Sequence, residues 1–217
     1  MAIPQLTITA DTVELSPGGD VVLRHQTWTS YEALLAQRSD KAAIKIRFNA
    51  DAQEIRLMAP LPNHGKRSAA LADFVKSMLR HQNLDWEEYD PIALKRFAKA
   101  GVEPDRCFYI ANRKAILGKE RIDLSVDPPP DLALEVDWTS FTSAEDYQSI
   151  GVPELWIYRS QSFQIYVFDG HSYGVSESSP TFPKLPVSQL IPEYVELAWS
   201  EGSSVALRQF ENMLSQL

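Results

Sequence analysis

The clearest alternation of apolar and polar positions in the chain runs over residues 131–138. Its two sides differ sharply in chemistry: Leu132, Leu134, Val136 and Trp138 alternate with Asp131, Ala133, Glu135 and Asp137. Such a period of two predicts a strand. Two interpretations of its acidic side are open. It can be exposed to solvent, as one face of an antiparallel sheet often is, or it can carry carboxylates of a functional site.

Periodicity predicts further elements before this strand. Apolar residues recur at helical spacing over residues 66–82, which indicates an amphipathic helix. Two alternating runs around Asn49 predict a hairpin. Thr29 or Ser30 is expected to cap a short helix that ends near Gln37.

The remaining pattern gives strands over residues 92–98 and 105–112, a short helix over 143–150 with Gly151 behind it, and a second hairpin over 154–170. A final amphipathic helix covers residues 204–217. A mixture of this kind predicts an α/β (mixed α+β) fold with an N-terminal β-hairpin extension.

Composition favours one domain over residues 1–217, with an N-terminal arm (1–26) and a C-terminal helix (197–217). The single cysteine, Cys107, excludes an internal disulfide framework. No window has the apolar length of a membrane span, and the N-terminus lacks a signal-peptide pattern. We therefore expect a cytoplasmic protein without membrane contact or organic cofactor. A net charge of −8 argues against a broad basic surface for nucleic acid.

The predicted pairing of two strands would place the candidate catalytic side chains on one face of the sheet. If residues 92–98 and 105–112 pair about Gly101, Lys95 and Asp105 become diagonal neighbours on one face. If the third strand lies beside the second, Glu135 approaches Asp105 on that face, with Asp137 one pleat further. Two carboxylates from neighbouring strands suit Mg²⁺ or Mn²⁺, and a lysine beside them adds a fixed positive charge.

Each of these residues also has a structural interpretation. Asp105 can be a turn residue, Glu135 a solvent-facing strand position and Lys95 a surface charge. Asp131 lies about 13 Å along the strand from Glu135, too far to share an ion with it. His64, at a helix start, is interpreted as a loop or capping residue.

Three stretches resemble a known family: "EPDRCFYI" (residues 103–110), "PDLALEVDWTS" (130–140) and "YQSIGVPELWIY" (147–158). They are similar to the Uma2 family, also called DUF820, which is abundant in cyanobacteria and belongs to the PD-(D/E)XK nuclease-like superfamily. The resemblance covers a family core over residues 27–196. It implies a restriction-endonuclease-like fold with a central mixed sheet flanked by helices, a homodimer and Mg²⁺-dependent hydrolysis of DNA. It assigns the metal to the side chains of Asp105 and Glu135 and to the main-chain carbonyl of Val136.

The chain departs from the family pattern at the lysine. The superfamily places a lysine two residues after the acidic position, where this chain has Asp137, and many relatives place it instead where this chain has Ser143. Lys95 is the predicted substitute. Eight cations in residues 95–121 are expected to supply local positive potential: Lys95, Arg96, Lys99, Arg106, Arg113, Lys114, Lys119 and Arg121.

Three function classes remain open on the sequence. The first is a Mg²⁺-dependent DNA endonuclease in which Asp105, Glu135 and Lys95 are catalytic. The second is a catalytically degenerate nuclease fold that acts as a binding or interaction module, which the missing lysine favours. The third is a structural protein that forms oligomers and has no site.

Overall fold

The computed structural model describes residues 15–38, 44–90, 92–137, 142–160 and 162–217. Most of the predicted arm (residues 1–14) and Trp138 of the alternating strand lie outside the described residues. The helices are α1 (Trp28–Gln37), α2 (Pro62–His81), α3 (Arg113–Ile116), α4 (Val187–Ser200) and α5 (Ser203–Leu214). A 3-10 turn covers Ala144–Tyr147.

The strands form two sheets. A five-stranded sheet has the order β1-β3-β2-β6-β5, made of β1 (Asp20–Arg24), β2 (Lys45–Asn49), β3 (Glu54–Met58), β5 (Leu94–Arg96) and β6 (Ala100–Val102). A six-stranded sheet has the order β11-β10-β9-β8-β7-β4, made of β4 (Glu87–Tyr89), β7 (Arg106–Tyr109), β8 (Leu132–Asp137), β9 (Glu154–Arg159), β10 (Ser162–Phe168) and β11 (Tyr173–Ser176).

The six-stranded sheet is mixed, because β8 runs parallel to β9 while β7 runs antiparallel to β8. One face packs against helices α2, α4 and α5, and Leu132, Leu134 and Val136 of β8 belong to that core. Ala133 belongs to a second core on the opposite face, together with residues of β5 and β6. The alternating residues of β8 therefore point to two faces of the sheet, and both faces are buried.

The long helix and both predicted hairpins are confirmed. Helix α2 begins at Pro62, four residues earlier than expected, since a proline is compatible with the first turn. β2 pairs with β3, and β9 pairs with β10. Thr27, rather than Thr29 or Ser30, caps α1 by accepting a hydrogen bond from the Ser30 amide at 3.2 Å. Helix α4 was not predicted, and it contains Pro192 in its interior.

The predicted pairing of residues 92–98 with 105–112 about a turn at Gly101 is wrong. Gly101 is a strand residue of β6, and it faces Lys95 on one side and Phe48 on the other. The turn comes earlier, at Phe97 and Ala98, where Ala98 has a positive φ of 54°. Residues 92–98 and 105–112 therefore contribute to different sheets.

Gly101 is required by a close contact rather than by a turn. The ring of the fully buried Tyr31 lies where a Cβ on residue 101 would project, far inside van der Waals contact. The β6 backbone can approach α1 this closely because glycine has no side chain.

None of the helices in the described ranges is both long enough and apolar enough to cross a membrane.

Candidate active site

Asp105 and Glu135 converge on one lysine, Lys45. Asp105 immediately precedes β7, and its amide donates to the Leu134 carbonyl at 3.1 Å, so that it lies beside β8. Lys45 Nζ forms an ion pair with Asp105 Oδ1 and lies 3.6 Å from Glu135 Oε2. Both carboxylates are buried, with only 4% and 2% of their surface exposed. One ammonium group therefore serves two carboxylates that the sequence places 30 residues apart.

A second cation from the same strand holds the other oxygen of Glu135. Arg47 follows Lys45 by two residues on β2, so both project from one face of that strand. Arg47 Nη2 donates to Glu135 Oε1 at 3.0 Å, and Tyr147 Oη donates to the same oxygen at 2.6 Å. Both oxygens of Glu135 are thus held by groups that lie outside its own strand.

Asp105 is fixed on its second oxygen. His64 Nε2, in the first turn of α2, lies 2.9 Å from Asp105 Oδ2, and the Val136 amide donates to the same atom at 2.7 Å. A small cavity beside this contact is lined by Lys45, His64, Glu135 and Val136, among others. The cluster of Lys45, Asp105 and Glu135 therefore borders a small cavity.

Asp137 and Glu135 do not face water, so the solvent-facing interpretation of the acidic strand is wrong. Asp137 is 5% exposed. It accepts hydrogen bonds from the amide and the hydroxyl of Thr142, both at 2.7 Å, and Arg159 Nε lies 3.2 Å from it. Asp137 therefore anchors the chain at Thr142 rather than joining the shared contact of Lys45.

The charges of the cluster shift the pKa values of its members. Burial favours the neutral form of Asp105, but the Lys45 ammonium and the hydrogen bond from His64 outweigh it and hold the pKa of Asp105 well below its usual range. For Glu135 burial prevails, with a contribution from Asp105, and raises the pKa despite Lys45 and Arg47. Burial opposes the charge on Lys45, yet the two carboxylates raise its pKa. Asp105 and Lys45 therefore form a charged pair.

Comparison with known proteins gives the family. Residues 28–200 match the model of the Uma2 family, whose description is "Putative restriction endonuclease". The chain belongs to the Uma2 family.

One solved structure with a similar fold is that of a "putative nuclease belonging to DUF820" from Anabaena variabilis. The two are 14% identical with a TM-score of 0.52, over 82% of this chain and 98% of the other. At this identity the similarity shows the fold, which confirms the predicted mixed α/β, restriction-endonuclease-like class. No curated protein sequence matches the chain. The family match supports a nuclease-like role.

The structure places Lys95, the substitute lysine expected in this Uma2 chain, away from the carboxylates. Lys95 Nζ lies 2.9 Å from Glu32 Oε1, and both side chains are more than 40% exposed. The expected diagonal contact with Asp105 depended on the wrong hairpin register. Lys45, on β2 of the five-stranded sheet, lies beside both carboxylates instead.

Four of the eight cations of the 95–121 stretch, Lys95, Arg106, Arg113 and Lys119, face acidic partners. Arg106 pairs with Glu88 at 3.4 Å and also with Asp90. Arg113 lies 3.0 Å from Glu87. Lys119 pairs with Asp127, and Arg96 donates to the Leu124 carbonyl. The charge of Lys95, Arg106, Arg113 and Lys119 is therefore balanced locally by neighbouring carboxylates.

Asp131 and Ser143 form hydrogen bonds outside the cluster of Lys45, Asp105 and Glu135. Asp131 Oδ2 accepts hydrogen bonds from the amides of Ile110 and Asn112 at 2.6 and 3.0 Å, which shapes the turn after β7. Ser143, where many Uma2 relatives carry lysine, donates its amide to Asp146 Oδ2 at 3.1 Å. Asp146 also accepts from Arg47 Nη1 at 2.7 Å. An arginine therefore lies beside the position that the usual lysine would occupy.

The donor set fits a small cation that prefers oxygen ligands. Asp105 and Glu135 already share one positive group, and a cation at that point would meet oxygens from both. The Val136 amide faces Asp105, and the N–H and C=O of one strand residue project to the same edge, so the Val136 carbonyl faces that side too. Over the described ranges no cluster of three or more His, Cys, Asp or Glu side chains is arranged for a metal. A metal here would therefore need main-chain and water ligands, as Mg²⁺ often accepts.

Sequence reasoning missed Lys45, Arg47 and Tyr147, and it gave His64 a capping role. The signal for the first two is present: "KIRF" puts Lys45 and Arg47 on the side of β2 opposite Ile46 and Phe48. Two cations at alternate positions of a short strand need acidic partners when buried. The sequence does not say that those partners lie in the other sheet.

Proposed function

We propose that this Uma2-family protein is a Mg²⁺-dependent endonuclease that hydrolyses phosphodiester bonds in DNA. The observation that carries the proposal is the convergence of Asp105 and Glu135 on the ammonium group of Lys45 beside a small cavity. Two close carboxylates with a lysine are the charge pattern that phosphoryl chemistry uses, and the family match supports a nuclease-like role.

Asp105, Glu135 and the Val136 carbonyl would hold the metal. When bound, Mg²⁺ or Mn²⁺ supplies Lewis-acid charge for the phosphate and a bound water of lowered pKa. Lys45 lies on a long flexible stem, so its ammonium can leave the position between the carboxylates and turn towards a phosphate oxygen. In this assignment Lys45, not Lys95, is the catalytic lysine.

The neighbours of the two carboxylates have positioning roles. His64 and the Val136 amide fix Asp105 on one oxygen. Arg47 and Tyr147 fix Glu135 Oε1, which leaves Oε2 to face Lys45. Preorganised contacts of this kind hold ligands at a fixed separation before substrate arrives.

A plasmid nicking assay tests the proposal. With Mg²⁺ or Mn²⁺, the wild type is expected to convert supercoiled DNA into nicked circles. Asp105→Asn should lower the rate by about 100-fold or more, since it removes a charged ligand in the buried cluster. Asp131→Asn is the matched control, because Asp131 lies just before the same strand and its carboxylate accepts hydrogen bonds from the turn amides of Ile110 and Asn112. A folded wild type that does not nick with either metal contradicts the proposal.

One observation favours a second candidate, a degenerate nuclease fold that binds a partner without cutting. Both usual lysine positions are occupied by other residues. Asp137, at one of them, accepts a hydrogen bond from Thr142 and pairs with Arg159. Calorimetric titration with Mn²⁺ separates the possibilities when combined with nicking. Metal binding with no nicking supports the degenerate fold, and neither binding nor nicking supports a purely structural role. The homodimer implied by the family stays a prediction.

A further inference from the structure

Within the described residues the two sheets end in four edge strands, β1 and β5 on one sheet and β4 and β11 on the other. An edge strand presents unpaired N–H and C=O groups, and charged side chains on it commonly prevent pairing with another chain. β1, β4 and β5 each contain charged residues. β11 has the sequence YGVS and contains none. It is therefore the described edge with the least protection against pairing.

The backbone of β11 directs hydrogen-bonding groups out of the sheet at two residues. The Phe168 amide donates to the Pro153 carbonyl at 3.0 Å, on the side of β10 that faces β9. Directions alternate along a strand, so the preceding residue of β10 exchanges hydrogen bonds with its partner in β11, Gly174. Tyr173 and Val175, on either side of Gly174, therefore point their N–H and C=O groups away from β10. Val175 is also 66% exposed.

A second copy of β11, running antiparallel, would satisfy both of these residues at once. Tyr173 would exchange hydrogen bonds with the partner's Val175, and Val175 with the partner's Tyr173. Gly174 would then face its own copy across a two-fold axis, at a position where opposed Cα atoms come within about 4.5 Å. Such an interface is self-complementary, as two-fold symmetry requires.

This register also brings complementary side chains together beyond the ends of β11. His171 and Glu177 lie three residues before and after Gly174, and both are exposed. In an antiparallel pair centred on Gly174, each His171 would therefore face the partner's Glu177, and an imidazole N–H can donate to a carboxylate. An acid on the same turn, Asp169, is held within its own loop, since its Oδ1 accepts from the amides of His171 and Ser172, both at 2.8 Å. Pairing in this register thus adds two side-chain contacts to the backbone hydrogen bonds.

We propose that β11 pairs with β11 of a second copy of this chain, antiparallel about Gly174, so that two six-stranded sheets join into one. The pairing is short, and it gives a weak dimer that dissociates on dilution. The inference goes beyond the proposed function and does not depend on it, because no residue of β11 lies in the cluster of Lys45, Asp105 and Glu135.

Val175→Lys tests the edge. Sedimentation velocity over a range of protein concentrations measures the monomer–dimer equilibrium. The new lysine places a charge within the interface, as the other edges already carry, and the change occurs twice in a symmetric dimer, so the dimer Kd should rise roughly 10-fold or more. Val126→Lys is the matched control, because Val126 is 79% exposed and lies in the loop before β8. It should leave the Kd at the wild-type value, and circular dichroism checks that both variants are folded.

Glu177→Lys tests the register separately. It replaces an attractive contact with the partner's His171 by a repulsive one, so the dimer Kd should rise by roughly 3- to 30-fold. Adding His171→Glu restores opposite charges and should return the Kd to within about threefold of wild type. Loss of the dimer in Val175→Lys without rescue by the double variant contradicts the register about Gly174. A dimer that Val175→Lys does not weaken overturns the proposal. So does a wild type that stays monomeric at every concentration, which would leave the edge to an extended segment of a different protein.

Discussion

Arg47 Nη2 lies 3.0 Å from Glu135 Oε1, and the two side chains are only 5% and 2% exposed. This pair joins β2 of one sheet to β8 of the other, across 88 residues of sequence. A buried pair of this kind is not by itself a strong source of stability, because both charges have lost their water. Removal of Arg47, however, leaves Glu135 buried with only the 3.6 Å contact of Lys45 to balance its charge.

Arg47→Met is therefore expected to destabilise the fold by about 3–5 kcal/mol, since Glu135 and Asp146 lose their shared cation. Urea unfolding followed by circular dichroism measures the change. Arg24→Met, which breaks the exposed pair with Glu54, should cost no more than about 1 kcal/mol. Equal effects of the two variants would mean that the Arg47–Glu135 pair is solvated in solution.

Lys45→Met should lower the nicking rate by about 100- to 1000-fold, because it removes a preorganised positive group from the reacting phosphate. Affinity for Mn²⁺, measured by calorimetry, should not fall, since the variant removes a competitor for the two carboxylates rather than a ligand. Lys95→Met is the control and should nick at the wild-type rate, because the exposed Lys95 pairs with Glu32 and lies away from Asp105 and Glu135. Loss of nicking in Lys95→Met and not in Lys45→Met would reverse the assignment of the two lysines.

Ser143→Lys should not increase the nicking rate of the wild type by more than about twofold. Its new ammonium would enter a region where Arg47 already binds Asp146 and Glu135, and like charges at close range repel. The same plasmid assay measures it. A large gain would show that Lys45 does not act as the catalytic lysine and that the usual Uma2 position had been left incomplete.

Gly101→Ala should destabilise the protein by about 1–3 kcal/mol or more, because its Cβ would collide with the ring of Tyr31 in a packed core. Gly65→Ala is the matched control within α2, where an added Cβ meets no atom within 4 Å. That change should be neutral or stabilising by up to about 1 kcal/mol, since alanine is the better helix former. Thermal unfolding compares the two. A fully tolerated Gly101→Ala would mean that α1 can shift away from β6.

Local pattern was enough to predict much of the fold. The alternation of β8, the stripe of α2 and the hairpins β2–β3 and β9–β10 follow from periods of two and 3.6. Strand β6 was missed because "AGV" is too short and too apolar to show a period. Helix α4 was missed because Pro186 and Pro192 indicate a break, although Pro192 lies inside the helix.

The site was only partly predictable, for a different physical reason. Asp105 and Glu135 come from adjacent strands, and such a contact can be inferred once β7 is placed beside β8. The lysine cannot be found this way, since Lys45 reaches them from another sheet. Lys95 was chosen from an assumed hairpin, and a wrong register changes every cross-strand neighbour. Only the docking of the two sheets selects Lys45.

The wide sequence separation of these charges has a consequence for synthesis on the ribosome. Lys45 and Arg47 emerge 60 and 88 residues before Asp105 and Glu135, their respective partners. A nascent chain that has not yet produced β8 holds its cations without the carboxylates that balance them, and such long-range contacts form late because loop closure must come first. The cluster of Lys45, Arg47, Asp105 and Glu135 can therefore form only when most of the polypeptide has been synthesised. A truncated translation product that stops before residue 132 lacks Glu135 and cannot assemble it.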